Sequence, residues 1–256
     1  MSTFYNTNHP LISHFSSDLV FGVDYGNPKC SPVKSLTRAT KDAGAGVGFI
    51  NVGTPLGHAL TSASHISYTR YKDNTLSTHN YSNGFSVIII CSVDKTGSKM
   101  FFGGGGMIGS GTSTATHFLN FELQRVAPYG YYLIHRITNA AGNGTVATSS
   151  DYLGSQFPET EDNEIFMVGY THSISSLTFY AHGLPITTKS ISSSINTTYP
   201  NAGGNEFVAV NGTSWQVGAP RWHHDAKIFM AHVYKRPLTN ADHLSFFNTF
   251  KNRYNL

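Results

Sequence analysis

Trp222-His223-His224-Asp225 sets an indole, two imidazoles and a carboxylate side by side. Such a set could stack on a sugar ring or ligate a metal ion. Successive strand residues face opposite ways, so His223 and His224 could share an ion only in a loop, and no further ligands stand at familiar zinc spacing. The spacing therefore favours stacking over a transition metal. Upstream, Tyr199-Pro200-Asn201-Ala202-Gly203-Gly204-Asn205 adds an aromatic face and amide donors, the groups that hold carbohydrate. Tyr199, Asn201, Asn205, Trp222, His223 and His224 are the candidate glycan contacts. Trp215 opens a predicted strand and is read as core instead. For Ca2+, Asp24, Asp151 and Asp225 with neighbouring carbonyls are the available oxygens, although a hard cation needs several of them to converge.

Catalytic readings fare worse. Glu159, Glu161 and Glu164 form an acidic cluster behind Pro158, and a pair of carboxylates across a scissile bond is what a glycosidase needs. These residues sit mostly in the loop before a predicted strand, where they would point to solvent rather than line a cleft. The run 103–109 contains Gly-x-Gly-x-x-Gly after a strand, but 110–116 is a Ser/Thr/Gly loop. No helix follows whose N-terminal amides could hold a pyrophosphate. Ser and His are abundant, yet no Gly-x-Ser-x-Gly elbow is present. The chain is read as non-enzymatic.

Composition narrows the class. Charged residues make up 12% of the 256, the aromatic share is 13%, and the formal charge is only +3. Without a basic block, nucleic acid is not an implied partner. Cys30 and Cys91 are too few for a disulfide framework in a domain this large. Cys91 lies inside the apolar run 85–93 and is read as a small buried hydrophobe. The apolar runs are far shorter than a membrane span, and residues 1–10 lack a basic start and an apolar centre. Neither membrane insertion nor a signal peptide is expected, and the protein should be made in a cytoplasm.

The elements that must position these residues are strands. Short β-branched and aromatic runs recur at 19–24, 47–52, 65–71, 85–93, 99–102, 118–125, 131–137, 164–172, 177–182, 207–210, 215–217 and 228–234, broken by Gly, Asn, Ser and Thr. A helical turn is read near 36–41. Residues 228–234 are apolar without alternation, as suits a strand buried on both faces. Pro237 stops that strand. Thr239 then stands at an N-cap, Asp242 complements the exposed N–H groups, and Leu244, Phe247 and Tyr254 recur at helical spacing. Each strand must hide a face against a second layer, which predicts an all-β, antiparallel sandwich with a short C-terminal helix. Residues 1–18 are read as an N-terminal arm or edge strand and 19–256 as one domain.

The ending, Val233-Tyr234-Lys235-Arg236-Pro237-Leu238-Thr239 with Phe250-Lys251-Asn252-Arg253-Tyr254, resembles the closing signature of laminin-G-like domains of the concanavalin A-like lectin/glucanase superfamily. Leu19 to Lys29, with Asp24-Tyr25-Gly26-Asn27-Pro28, is similar to that group's opening strand and turn. The hairpin 165–186 is similar to its paired core strands, with His182 where Asn or Asp is usual. The resemblance implies a two-sheet antiparallel jelly-roll sandwich and, in the variant most resembled, a phage or virus structural protein. The expected function is a virion component, such as a head decoration, fibre or tail protein, made in the host cytoplasm. Its expected partners are other virion proteins, further copies of itself as a homo-oligomer, and cell-surface glycans. The alternatives are a carbohydrate-binding lectin module outside a virion and a glycoside hydrolase.

Overall fold

The computed structural model describes residues 17–26, 40–42, 47–53, 57–62, 69–72, 79–93, 101–103, 120–126, 130–138, 144–148, 164–191, 207–210, 212–214, 220–223 and 226–256. In chain order the first strands are β1 (Leu19–Asp24), β2 (Thr40–Asp42), β3 (Val47–Gly53), β4 (Gly57–Ser62), β5 (Thr69–Lys72) and β6 (Phe85–Val93). Next come β7 (Phe101–Gly103), β8 (Asn120–Val126), β9 (Gly130–Thr138), β10 (Gly144–Thr148), β11 (Ile165–His172) and β12 (Ser176–Ala181). The last are β13 (Leu184–Ser190), β14 (Phe207–Val210), β15 (Gly212–Ser214), β16 (Pro220–His223) and β17 (Ala226–Tyr234), followed by the helix α1 (Asn240–Tyr254). The class is all-β and antiparallel, closed by a C-terminal helix.

The largest sheet has eight strands in the order β13-β12-β11-β6-β17-β4-β3, with β1 also paired to β17. Smaller sheets run β10-β9-β8-β7 and β14-β5-β2, and β15 and β16 form a two-stranded ribbon. Central strands β6, β11 and β17 are buried almost throughout, because the large sheet is covered on both faces. On one face, His135 of β9 stacks on Tyr170 of β11 at 4.1 Å between ring centroids, and Phe121 of β8 meets the same ring at 5.0 Å. On the other face, Phe246, Phe250 and Tyr254 of α1 join Leu19, Ile88, Ile90, Met167, Met230 and Tyr234 in one apolar cluster. Burial of this kind contributes about 2 kcal/mol for each large side chain. The unbroken apolar run of β17 thus reflects two covered faces, as its sequence predicts. At the edge, β13 has only exposed and half-buried positions and carries Pro185 and Lys189, both of which discourage further pairing.

Strand bounds at 19–24, 85–93 and 207–210 agree with β1, β6 and β14. Residues 40–42 differ, since they form β2 against β5 instead of a helical turn. A lone turn fixes several dihedrals for one hydrogen bond, and the cross-strand ladder outweighs it. Strands β4, β10, β13, β15 and β16 are not foreseen from the sequence, and the strand read at 215–217 lies outside the described residues. So does the arm, apart from residues 17 and 18. Asp18 is part of the fold, because its carboxylate pairs with Arg236 at 2.7 Å and its carbonyl accepts from Lys235 N.

The hairpin between β12 and β13 turns on two residues, His182 at φ 47° and Gly183 at φ 79°. Positive φ at both positions is the pattern that matches the twist of paired strands, and His tolerates it better than most non-glycine residues. The turn therefore forms with His in place of the usual Asn or Asp.

Candidate functional site

The ribbon of β15 and β16 carries the two candidate glycan contacts that the structure describes, Trp222 and His223. Its register sets Trp222 opposite Thr213 and His223 opposite Gly212, with a slip between Thr213 and Ser214. Positions 222 and 223 are successive in β16. The ribbon lies beside β7, the edge of the four-stranded sheet. Tyr199, Asn201, Asn205 and His224 lie outside the described residues, as do Asp151 and Asp225. Among the acidic residues, Glu164 is exposed at the head of β11, while Glu159 and Glu161 lie outside the described residues. Gly103 closes β7, and the rest of the glycine run is likewise outside.

Asp24, one of the proposed calcium ligands, is fully described and holds a different role. Its side chain is buried, and both oxygens accept from one guanidinium: Arg253 Nη1 donates to Oδ2 and Nη2 to Oδ1, each at 3.0 Å. Tyr254 Oη also donates to Oδ1 at 3.2 Å. A paired, hydrogen-bonded carboxylate suits a buried position. Asp24 anchors the last turn of α1 to the end of β1. Among the described residues, no group of His, Cys, Asp or Glu is placed to hold a metal ion. Cys91 is buried and free, as expected, and burial pushes its thiol pKa up.

Two buried polar clusters flank the end of β11, and the sequence reading identifies neither. Between the sheets, His172 Nδ1 and His135 Nε2 share a hydrogen bond of 3.0 Å beside the Tyr170 ring. Burial lowers the His172 pKa to about 4 and raises that of Tyr170. Under the helix, Thr171 Oγ1 donates to the Leu238 carbonyl at 3.0 Å and lies 3.0 Å from Ser86 Oγ and 2.9 Å from His243 Nε2. The single Thr171 proton goes to the carbonyl, so His243 Nε2–H is the donor of the third contact. Ser86 Oγ in turn accepts from Leu238 N at 2.8 Å and donates to the Arg236 carbonyl at 3.1 Å. Tyr180 stacks on the His243 imidazole at 3.6 Å and donates through Oη to Asn240 Oδ1. Hydroxyl beside imidazole is the grouping of a nucleophile and its base, but these side chains are sealed beneath α1. Nucleophilic attack needs access. The cluster seats the helix and its leading turn.

No protein-family model matches the chain, and no curated protein does. Solved structures do. The receptor-binding domain of botulinum neurotoxin C/D mosaic serotype superimposes with a TM-score of 0.62 at 12% identity, covering 92% of this chain and 52% of that one. The binding domain of Paraclostridial Mosquitocidal Protein 1 gives 0.61 at 13%, covering 92% and 53%. The ligand-binding domain of botulinum neurotoxin serotype D in complex with N-acetylneuraminic acid gives 0.61 at 12%, covering 93% and 52%. The likeness is one of fold. This chain spans about half the length of those structures, and at such identity the fold alone is shared.

Proposed function

We propose that this chain is a non-enzymatic binding module on a concanavalin A-like, laminin-G-like jelly-roll sandwich, and that it engages carbohydrate on a cell surface. One observation carries the reading: over nine-tenths of the chain follows the fold of toxin receptor-binding domains, one of which is held with N-acetylneuraminic acid. The β15–β16 ribbon supports it, because β16, the strand that carries Trp222, adjoins the edge strand β7. The segment 199–205 supplies the amides and a second aromatic in the same proposal. The ligand class is a sialylated or otherwise acidic glycan. A broad glycan array tests this. Saturable binding is expected, weakened at least tenfold by Trp222→Ala with the fold intact by circular dichroism. An array without binding, or one unchanged by Trp222→Ala, Asn201→Ala and Asn205→Ala, overturns the site.

A second reading, a virion decoration, fibre or tail component, is favoured by the closing motif 233–239 leading into α1 and by the opening Asp24 to Pro28. It predicts a homo-oligomer held through the N-terminal segment. Light scattering should give a trimer or larger ring, which deletion of residues 1–16 dissolves. That cut spares Asp18 and its pair with Arg236. A monomer before truncation would leave the lectin module as the better reading.

A further inference from the structure

The helix α1 is held at its two ends by different chemistry. Its last turn is fixed by the Asp24–Arg253 pair, whereas its first two turns rest on His243. That imidazole is enclosed by Thr171 and Gly169 of β11 and by Tyr180 of β12, while the turn at Gly183 packs against the helix backbone, its Cβ position 3.0 Å from the His243 carbonyl oxygen. Nε2–H is spent on Thr171, and Nδ1 is buried without a hydrogen-bond partner among the described residues. A proton added to Nδ1 would have no acceptor and would place a charge in an apolar seat, which is strongly unfavourable.

We propose that residues 240–247 form an acid-released latch: protonation of His243 unseats the first two turns of α1 from β11 and β12, while the last turn stays anchored on Asp24. Among the described residues, the groups facing this seat are few. Tyr180 lies over the ring, His182 meets Phe247 edge-on at 5.5 Å, and His232 of β17 meets Phe246 edge-on at 5.6 Å. The neighbouring charges are Asp242 and Arg236, which bond each other at 2.9 Å, with Asp18 behind Arg236. Burial lowers the His243 pKa to about 3 despite the opposing Asp242. Asp242 is also held below its ordinary value, so the capping contacts survive at pH 5 while His243 is drawn toward its protonated, open form.

Hydrogen exchange of the full chain tests the latch, with rates corrected for the intrinsic effect of pH. An open-state pKa of 6.5 against about 3 in the seat predicts roughly 30-fold more opening of amides 243–247 at pH 5 than at pH 8. The amides of 250–254 should change less, and those of β6 and β17, which exchange only through unfolding of the whole fold, should stay better protected than 243–247 at both pH values. His243→Gln should remove most of the dependence, and His182→Gln should retain it. The proposal fails if protection of 243–247 does not fall, if at pH 5 these amides are as well protected as β6 and β17 and so open only with the whole fold, or if His182→Gln abolishes the effect. Should His243→Gln not fold, the Cε1 proton resonance of His243 in the native chain decides. An ordinary titration near pH 6.5 in the closed state would overturn the latch.

Discussion

At residue scale the pair of Asp24 and Arg253 is the plainest case of sequence ends meeting in the fold. The carboxylate is at the end of β1 and the guanidinium near the end of α1, and the contact is bidentate with Asp24 fully inaccessible. Arg253 also lies over the Tyr254 ring at 4.9 Å, so its planar head is fixed on two sides. Burying both charges costs desolvation, and this makes the pair weak evidence for net stability. Removing one partner is a different matter, because the other charge is then left half-buried and unmatched. Asp24→Ala should lower the unfolding free energy by about 3 kcal/mol in urea titration. A loss below about 1 kcal/mol would place the pair with ordinary surface ion pairs. The Gly26 site reinforces the geometry, since a Cβ there would fall on the Tyr254 side chain. The tight turn after β1 exists to receive the helix.

At the scale of elements, α1 shows what a sequence reveals and what it conceals. Thr239 is the N-cap, with its side chain accepting from Asp242 N at 3.1 Å and Asp242 Oδ2 accepting from Thr239 N at 2.8 Å. This reciprocal box is readable from Thr239 and Asp242 alone. Thr239→Ala should cost about 1 kcal/mol, read as a lower urea midpoint with an unchanged slope. The buried face is less legible. Leu244, Phe247 and Tyr254 look like the apolar stripe, but the structure buries His243, Phe246, Phe250 and Tyr254 and leaves Leu244 40% exposed. The face is rotated because His243 has a hydroxyl partner waiting on β11, and a periodicity of apolar types cannot register a buried imidazole. The same limit hid Tyr170, His172 and His135, whose partners come from strands distant in sequence. The long central strands were visible because both faces are covered. Three- and four-residue strands such as β15 and β16 carry too few positions for any period, so the setting of Trp222 was not legible.

For the whole molecule, the two polar clusters make stability depend on pH in a calculable direction. His172 and His243 sit on opposite faces of the large sheet, and burial lowers their pKa values to about 4 and about 3. An unfolded chain restores both to about 6.5, so between these limits the unfolded state binds more protons than the folded one. Stability therefore rises with pH in that window and falls as the solution is acidified below about 6.5. Carboxylates act later: Asp242, partly desolvated but held low by Arg236 and Thr239, contributes stability that is lost only as pH falls below the ordinary carboxylate range. The window from pH 6.5 to 4.5 is thus governed by the histidines. Together they should remove about 5 kcal/mol on going from pH 8 to pH 4.5, a large share of a typical domain's stability. Urea titrations at half-unit intervals of pH should show the midpoint falling steadily through this window. Replacing either histidine with Gln should cut the slope by about half, and a flat wild-type profile would mean that these imidazoles are not held neutral by the fold.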